Sequence, residues 1–334
     1  MINVAINGFG RIGRVFLRAL MERHSDLNIV AINDLSEPEI LGHLLRHDSV
    51  FGKAQFEVTA DSKSITVAGK KIPFLKEKDL NNLNWSKYDV DVVLESTGVF
   101  RTRAQAEIHI KNGAKKVLIS APPKDENIRQ FIYGVNHKSF NSKQDSIFTI
   151  ASCTTNSIVP VLYVLQKEFG IEKGFVTTIH SSTMDQNLLD APHKDLRRAR
   201  SALNNMIPTT TGAAKAVGAV IPELKGKLDG LAVRVPLPNG SVSDLSILLS
   251  KKTNPEEVNS VLEKYSKKEL KGVMDVSTHE IVSSDIIADS HSSIVDAAQT
   301  KVVSGNLLKI LAWYDNEYGF SCRLADMIKF TASK

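Results

Sequence analysis

The chain has 334 residues, more than a single hydrophobic core usually organises, so two domains are expected. With 42% apolar and 24% charged residues it has the make-up of a soluble globular protein, and no apolar run is long enough to span a bilayer. A net charge of +5 leaves room for anionic ligands, while two cysteines, Cys153 and Cys322, cannot build a disulfide framework. With no basic segment leading into an apolar leader, a reducing, cytoplasmic setting is expected, without membrane contact and without a metal site.

The first half alternates strand and helix. Strand-like runs fall at Asn3 to Ile6, Ile29 to Ile32, Val90 to Glu95 and Lys116 to Ser120, with helical patterns at Arg11 to Arg23 and Arg101 to Asn112. That order predicts a parallel sheet with crossover helices. A polar excursion from Lys53 to Lys71 reads as an inserted hairpin.

Gly8-Phe9-Gly10-Arg11-Ile12-Gly13 matches G-x-G-x-x-G, and here it follows a strand and opens a helix. The glycines allow a tight turn and close approach of backbone to a pyrophosphate at the helix N-terminus. The second strand runs into Asn33-Asp34, at the spacing expected of a carboxylate that binds the adenosine ribose. Asp34 would repel a 2′-phosphate, so NAD is expected over NADP. Ser96, Thr97 and Ser120 sit at carboxyl ends of later strands, where such sheets bind ligands; they serve equally well as turn formers.

The next strand, Ile147 to Ile150, feeds ASCTTN, and a helix-like run from Ser157 to Phe169 leaves it. Cys153 therefore stands at or near a helix N-terminus, where backbone N–H groups and the helix dipole favour a thiolate. An ordinary buried cysteine is the alternative at this point. A strand at Phe175 to Ile179, a long polar loop from Ser181 to Asn205 and a helix at Gly212 to Val220 follow. Strands at Gly230 to Val235, Val242 to Ser250 and Leu308 to Tyr314 and a last helix at Ser321 to Ala332 complete an α+β pattern with a mostly antiparallel sheet. The domain boundary is expected at the Cys153 turn. The cluster Arg197-Arg198-Ala199-Arg200 could serve nucleic acid, a small phosphorylated anion, or solvent alone; no aromatics interleave it, which speaks against nucleic acid.

Taken together, INGFGRIGR from Ile6, ASCTTN from Ala151, HKDLRRAR from His193, TTTGAAKAVG from Thr209, PELKGKL from Pro222 and AWYDNEYG from Ala312 resemble phosphorylating glyceraldehyde-3-phosphate dehydrogenases over nearly the whole chain. The resemblance implies a Rossmann domain over 1–151, a catalytic domain over 152–316, and a C-terminal helix over 317–334 that packs back on the first domain. It implies oxidation of an aldehyde by NAD coupled to phosphate capture, in a homotetramer in which the Ser181 to Asn205 loop reaches a neighbour's NAD. Cys153 would be the nucleophile and His180 its base, lowering the thiol pKa. Ser152, Thr154, Thr183, Arg198, Thr211, Gly212 and Arg234 would hold the substrate phosphate and inorganic phosphate. Gly8, Gly10, Arg11, Ile12, Gly13, Asp34, Lys78, Thr97, Ser120 and Asn316 would hold NAD, Asn316 through the nicotinamide amide. The residues alone do not single out His180 from the nine histidines.

The chain departs from the family pattern at Ile150, at Ser157 in place of a second cysteine, at Gly240 in place of a β-branched residue, and at Phe320 in place of tyrosine. Phe320 and the run from His291 to Asp296 lean toward the related erythrose-4-phosphate dehydrogenases, which hydrolyse the thioester; Thr183 and the Thr211-Gly212 pair lean back toward phosphate capture. A mainly RNA-binding or surface-binding role has only the basic charge in its support.

Overall fold

Consecutive apolar residues, as in Val4-Ala5-Ile6 and Val92-Val93-Leu94, suit strands buried on both faces. The computed structural model, which describes residues 1–23 and 26–334, places them in the first of two units, Met1–Ala151 with Ser321–Lys334. Its elements are β1 (Ile2–Asn7), α1 (Arg11–Arg23), β2 (Leu27–Asn33), α2 (Pro38–Arg46), β3 (His47–Asp48), β4 (Gly52–Lys53), β5 (Val58–Asp61), β6 (Ser64–Val67), β7 (Lys70–Leu75), β8 (Val92–Glu95), α3 (Arg103–Lys111), β9 (Lys116–Ile119), β10 (Arg129–Gln130) and β11 (Ile147–Thr149). The sheet order is β10-β11-β9-β8-β1-β2-β7-β6-β5. From β10 to β7 all neighbours run parallel, while β5 and β6 are antiparallel. Strand order reverses between β1 and β8, which is where a doubly wound sheet binds its ligand.

The expected hairpin is larger than the sequence suggested. β5, β6 and β7 form an antiparallel meander whose last strand joins the parallel sheet, Ile32 opposite Phe74. α2 was not anticipated, although Pro38 at its first turn and Leu41 and Leu45 on its buried face are helix signals. On one face of the sheet Ala5, Ala31, Val93, Val117 and Ile119 pack with Ala106 of α3 and Trp85.

The second unit, Ser152–Phe320, holds α4 (Cys153–Glu168), β12 (Ile171–Ser181), β13 (Ile207–Thr210), α5 (Ala213–Val220), β14 (Leu228–Val235), β15 (Ser241–Leu249), α6 (Pro255–Ser266), β16 (Met274–Ser277), β17 (Ser293–Asp296), β18 (Lys301–Val303) and β19 (Leu307–Tyr314); α7 (Tyr318–Ala332) begins in it. The sheet runs β13-β14-β12-β15-β19-β17-β16, with β18 beside β19. It is mostly antiparallel; β12 with β14 and β16 with β17 are its parallel pairs. α4 lies against α5, α6 and the strands β12, β15, β17 and β19. Phe175, Leu231 and Leu307 remain exposed. Gly240 has φ of +87°, and a Cβ there would stand 2.6 Å from the Ser283 carbonyl oxygen, so this turn excludes the β-branched residue the family pattern favours. Among the described residues no helix is long and apolar enough to cross a membrane.

Candidate functional site

In the second unit the site grows from the start of α4. Ala151, at φ +61°, turns the chain through the left-handed region before Ser152. Ser152 is the N-cap, its Oγ accepting from Thr155 N at 3.1 Å, and Cys153 is the first helical residue. The helix starts four residues before the apolar periodicity does, because Thr154, Thr155 and Asn156 are buried polar residues.

β12 alternates, and Val176, Thr178 and His180 share its buried face. Cys153 Sγ lies 3.4 Å from His180 Nε2. The parallel register sets Arg234 of β14 beside His180. His180 Nδ1 faces the Ser181 carbonyl at 2.8 Å and Arg234 Nη1 at 2.6 Å; Arg234 also donates to that carbonyl at 3.2 Å. Burial pushes the Cys153 thiol up, against a pull from Arg234, and the same burial with Arg234 depresses His180 to about 3. Thiol and imidazole therefore both rest neutral at pH 7, with the imidazole placed to take a proton.

Tyr314, at the end of β19, hydrogen-bonds Thr154 at 2.9 Å and Thr178 at 2.8 Å, tying α4 to β12 beneath the thiol. Two residues on, Asn316 Oδ1 accepts from Ser181 Oγ, Ser241 Oγ and Gly240 N at 2.9, 2.9 and 3.2 Å. With its oxygen so occupied, the Asn316 amide keeps its NH₂ as a donor. Sequence reasoning passed over Tyr314, Ser181 and Ser241, although the alternation of β19 puts Tyr314 on the buried face.

The anion candidates divide. Arg234 is largely buried, and its Nε has no hydrogen-bond partner, an orphaned donor that an anion would satisfy. Arg198 donates to Thr209 Oγ1 at 3.0 Å and the Thr210 carbonyl at 3.3 Å, and pairs closely with Asp185. Thr183 N is held by Gln186 at 3.1 Å, and Thr211 Oγ1 caps Ala213 N at 3.2 Å. Gly212 precedes α5, and a Cβ there would meet nothing within 4 Å, so open space lies beside the helix start. Within the basic cluster Arg200 pairs with Asp190 at 2.9 Å, and Arg198 with Asp185. Ser157 is fully buried one turn beyond Cys153, so no second thiol stands there, and Phe320 is buried at the start of α7. Ile150 is fully buried before the Ala151 turn.

In the first unit the glycine turn leaves β1 at the switch point. Gly8 has φ of +95°, and a Cβ there would come within 2.5 Å of Thr97 N; one at Gly13 would strike the Gly8 carbonyl oxygen at 2.4 Å; one at Gly10 would meet nothing within 4 Å. Gly8 makes the turn, Gly13 lets helix and strand touch, and Gly10 leaves the open face a pyrophosphate needs. Asp34 Oδ2 accepts from Phe9 N at 2.8 Å, bringing the carboxylate to the turn. Ser96 Oγ donates to the Gly8 carbonyl at 2.6 Å, and Ser120 N to the Glu95 carbonyl at 2.9 Å. Ile12 is half-buried in α1, and Lys78 lies exposed after β7. Arg11 turns its guanidinium to Asp48 and over the Phe51 ring. These features fit a dinucleotide. Among the described residues no three His, Cys, Asp or Glu side chains converge as metal ligands would.

The chain is similar to known proteins over its whole length. Residues 2–103 match the glyceraldehyde 3-phosphate dehydrogenase NAD-binding domain, and residues 152–316 match the C-terminal domain of the same family. The chain is 49% identical over 333 residues to glyceraldehyde-3-phosphate dehydrogenase 2 of Streptomyces avermitilis, covering 100% of this chain and 99% of that one. It is 50% identical over 336 residues to glyceraldehyde-3-phosphate dehydrogenase 2 of Trichormus variabilis and 48% identical over 333 residues to the Geobacillus stearothermophilus enzyme, with the same coverage in each case.

Proposed function

Because the chain belongs to the glyceraldehyde 3-phosphate dehydrogenase family, we propose that it oxidises D-glyceraldehyde 3-phosphate with NAD and captures the product as an acyl phosphate, 1,3-bisphosphoglycerate, in glycolysis or its reverse. The observation that carries the chemistry is the 3.4 Å contact of Cys153 with His180 at the start of α4.

His180 Nε2 takes the thiol proton as sulfur attacks the aldehyde carbon; this requires the tautomer whose Nδ1–H donates to the Ser181 carbonyl, with the Arg234 donor, now facing Nδ1, given over to that same carbonyl. That attack leaves a hemithioacetal oxyanion on Cys153, beside the α4 N-terminus and Arg234, whose positive ends favour it. Bound NAD supplies the acceptor for the hydride lost from the same carbon. What remains on Cys153 is a thioester, and phosphate oxygen attacks it, breaking the C–S bond and releasing the acyl phosphate. Arg234, with its unpartnered Nε, and the open space beside Gly212 suit anionic groups, and the family resemblance adds Ser152, Thr154, Thr183, Arg198 and Thr211 as ligands of the two phosphates. Asn316 offers its NH₂ to the nicotinamide carboxamide.

Asp34 sets the cofactor preference. In Asp34→Ala the ratio of kcat/KM for NAD to that for NADP is expected to fall by about tenfold or more, since a 2′-phosphate no longer meets a carboxylate. An unchanged ratio would place the ribose elsewhere.

We further infer a homotetramer in a reducing cytoplasm, the first supported by exposed Phe175, Leu231 and Leu307 and by exposed Met184, Leu188, Leu196 and Met206 near the basic loop. The function is tested by NADH formation from glyceraldehyde 3-phosphate and from erythrose 4-phosphate, each with and without phosphate. Fast turnover of the triose that requires phosphate is expected. Preference for the tetrose, indifferent to phosphate, would refute the proposal and mean that water takes the thioester.

A further inference from the structure

Glu95 ends β8 with 1% of its surface exposed, a carboxylate the reaction does not use. Four donors converge on it. Asn7 Nδ2 and His109 Nε2 reach Oε2 at 2.5 and 3.2 Å, and Thr97 N reaches Oε1 at 2.9 Å, joined there by the Thr97 hydroxyl. His109 is fully buried, and Trp85 Nε1 lies 2.9 Å from its Nδ1. An indole N–H only donates, so Nδ1 must carry the lone pair and Nε2 the proton. His109 is therefore a neutral donor to Glu95, not an ion-pair partner. The two carboxyl oxygens thus receive four donors, two on each.

The cluster lies at the switch point of the sheet. Asn7 Oδ1 accepts from Asn33 Nδ2 at 2.8 Å, and Asn33 Oδ1 from Glu77 N at 2.9 Å, so one chain of side-chain bonds crosses the carboxyl ends of β8, β1 and β2. The Thr97 turn it grips is the one that a Cβ on Gly8 would strike. Ser96 Oγ on the Gly8 carbonyl, at 2.6 Å, closes the same seam from the other side. A buried carboxyl group is costly unless its oxygens are hydrogen-bonded, and among the described residues that bond its side chain Thr97 is the half-exposed one, at the edge of the dinucleotide face.

We propose that Glu95 is a positioning residue for the dinucleotide: it fixes the Thr97 turn against Gly8, while Asn7, His109 and Trp85 hold the carboxylate in place. The inference rests on NAD binding at the glycine turn, which the unaltered protein checks separately by binding NAD at all.

Glu95→Gln is the test. The amide keeps Asn7 and His109 satisfied with its oxygen and turns its NH₂ on the Thr97 N–H, releasing that turn. Calorimetry and steady-state kinetics on the purified protein are expected to show Kd and KM for NAD raised about tenfold, with kcat at saturating NAD and KM for the aldehyde within about twofold. Lower kcat or thermal stability with unchanged NAD affinity would overturn the proposal. Should Glu95→Gln not fold, His109→Gln and His109→Phe decide it. The glutamine keeps a donor for Glu95 and is expected to bind NAD as the unaltered protein does, while the phenylalanine loses it and is expected to bind about threefold more weakly; equal affinity in the two would overturn it.

Discussion

Cys153→Ser is expected to lower NADH formation on the order of 10⁴-fold or more while NAD affinity stays within about twofold. Serine occupies the same helix position and fits the same volume, so the fold is kept. What is lost is a group that can surrender its proton. Burial already raises the thiol, and Arg234 and the α4 N-terminus partly offset that; a hydroxyl starts several units higher and gains no more from the same surroundings. NAD affinity is spared because the glycine turn, Asp34 and the Thr97 turn lie in the other unit. The check is single-turnover NADH formation beside NAD titration of the same preparation. Substantial activity in the serine variant would remove Cys153 from the mechanism.

His180→Asn carries the second largest effect, a loss of about 10²- to 10⁴-fold in the acylation rate at pH 7. The sign of its pH dependence follows from the site. His180 is depressed to about 3, so it is a neutral base throughout the neutral range. The thiol is raised, so at pH 7 it is protonated and needs that base. Without it the reaction waits for thiolate formed by solvent, a fraction that grows as pH rises toward the thiol's elevated pKa. The deficit should therefore shrink steadily from pH 6 to pH 10. A deficit that is the same at every pH would mean that His180 orients the substrate without moving its proton.

Much of this was legible from local signals. α1 runs from Arg11 to Arg23 as its periodicity indicates, because glycines precede it and apolar residues line one face. The glycine turn and Asp34 meet because β1 and β2 are adjacent parallel strands with Asn7 opposite Asn33, so the residues just past their ends are neighbours and Asp34 accepts from Phe9 N. α6 was missed despite an Asn254 cap, Pro255 and two acidic residues in its first turn, all local signals. The strands β16 and β17 are short and follow turns, and the run from His291 to Asp296, which contains β17, has only the β-branched pair Ile294-Val295 as a strand signal.

Other features are long-range and leave no local trace. His180 becomes a partner of Cys153 only when α4 packs against β12, and a lone histidine at a strand end announces none of this. Arg234 looked like a phosphate ligand and nothing more, yet cross-strand register sets it against the His180 ring. Glu95 reads as the polar end of an apolar strand; its donors come from Asn7, 88 residues earlier, and His109, 14 residues later. Gly240 looked like a departure from the family pattern, and its positive φ makes it a requirement of this turn.

The most direct test of the central claim is the first turnover, followed by rapid mixing of the NAD-loaded protein with glyceraldehyde 3-phosphate in phosphate-free buffer. A burst of one NADH per Cys153 is expected, then near-arrest, with steady turnover restored when phosphate is added. Continuous NADH formation without phosphate, or no burst at all, would contradict a thioester held on Cys153 for phosphate to take.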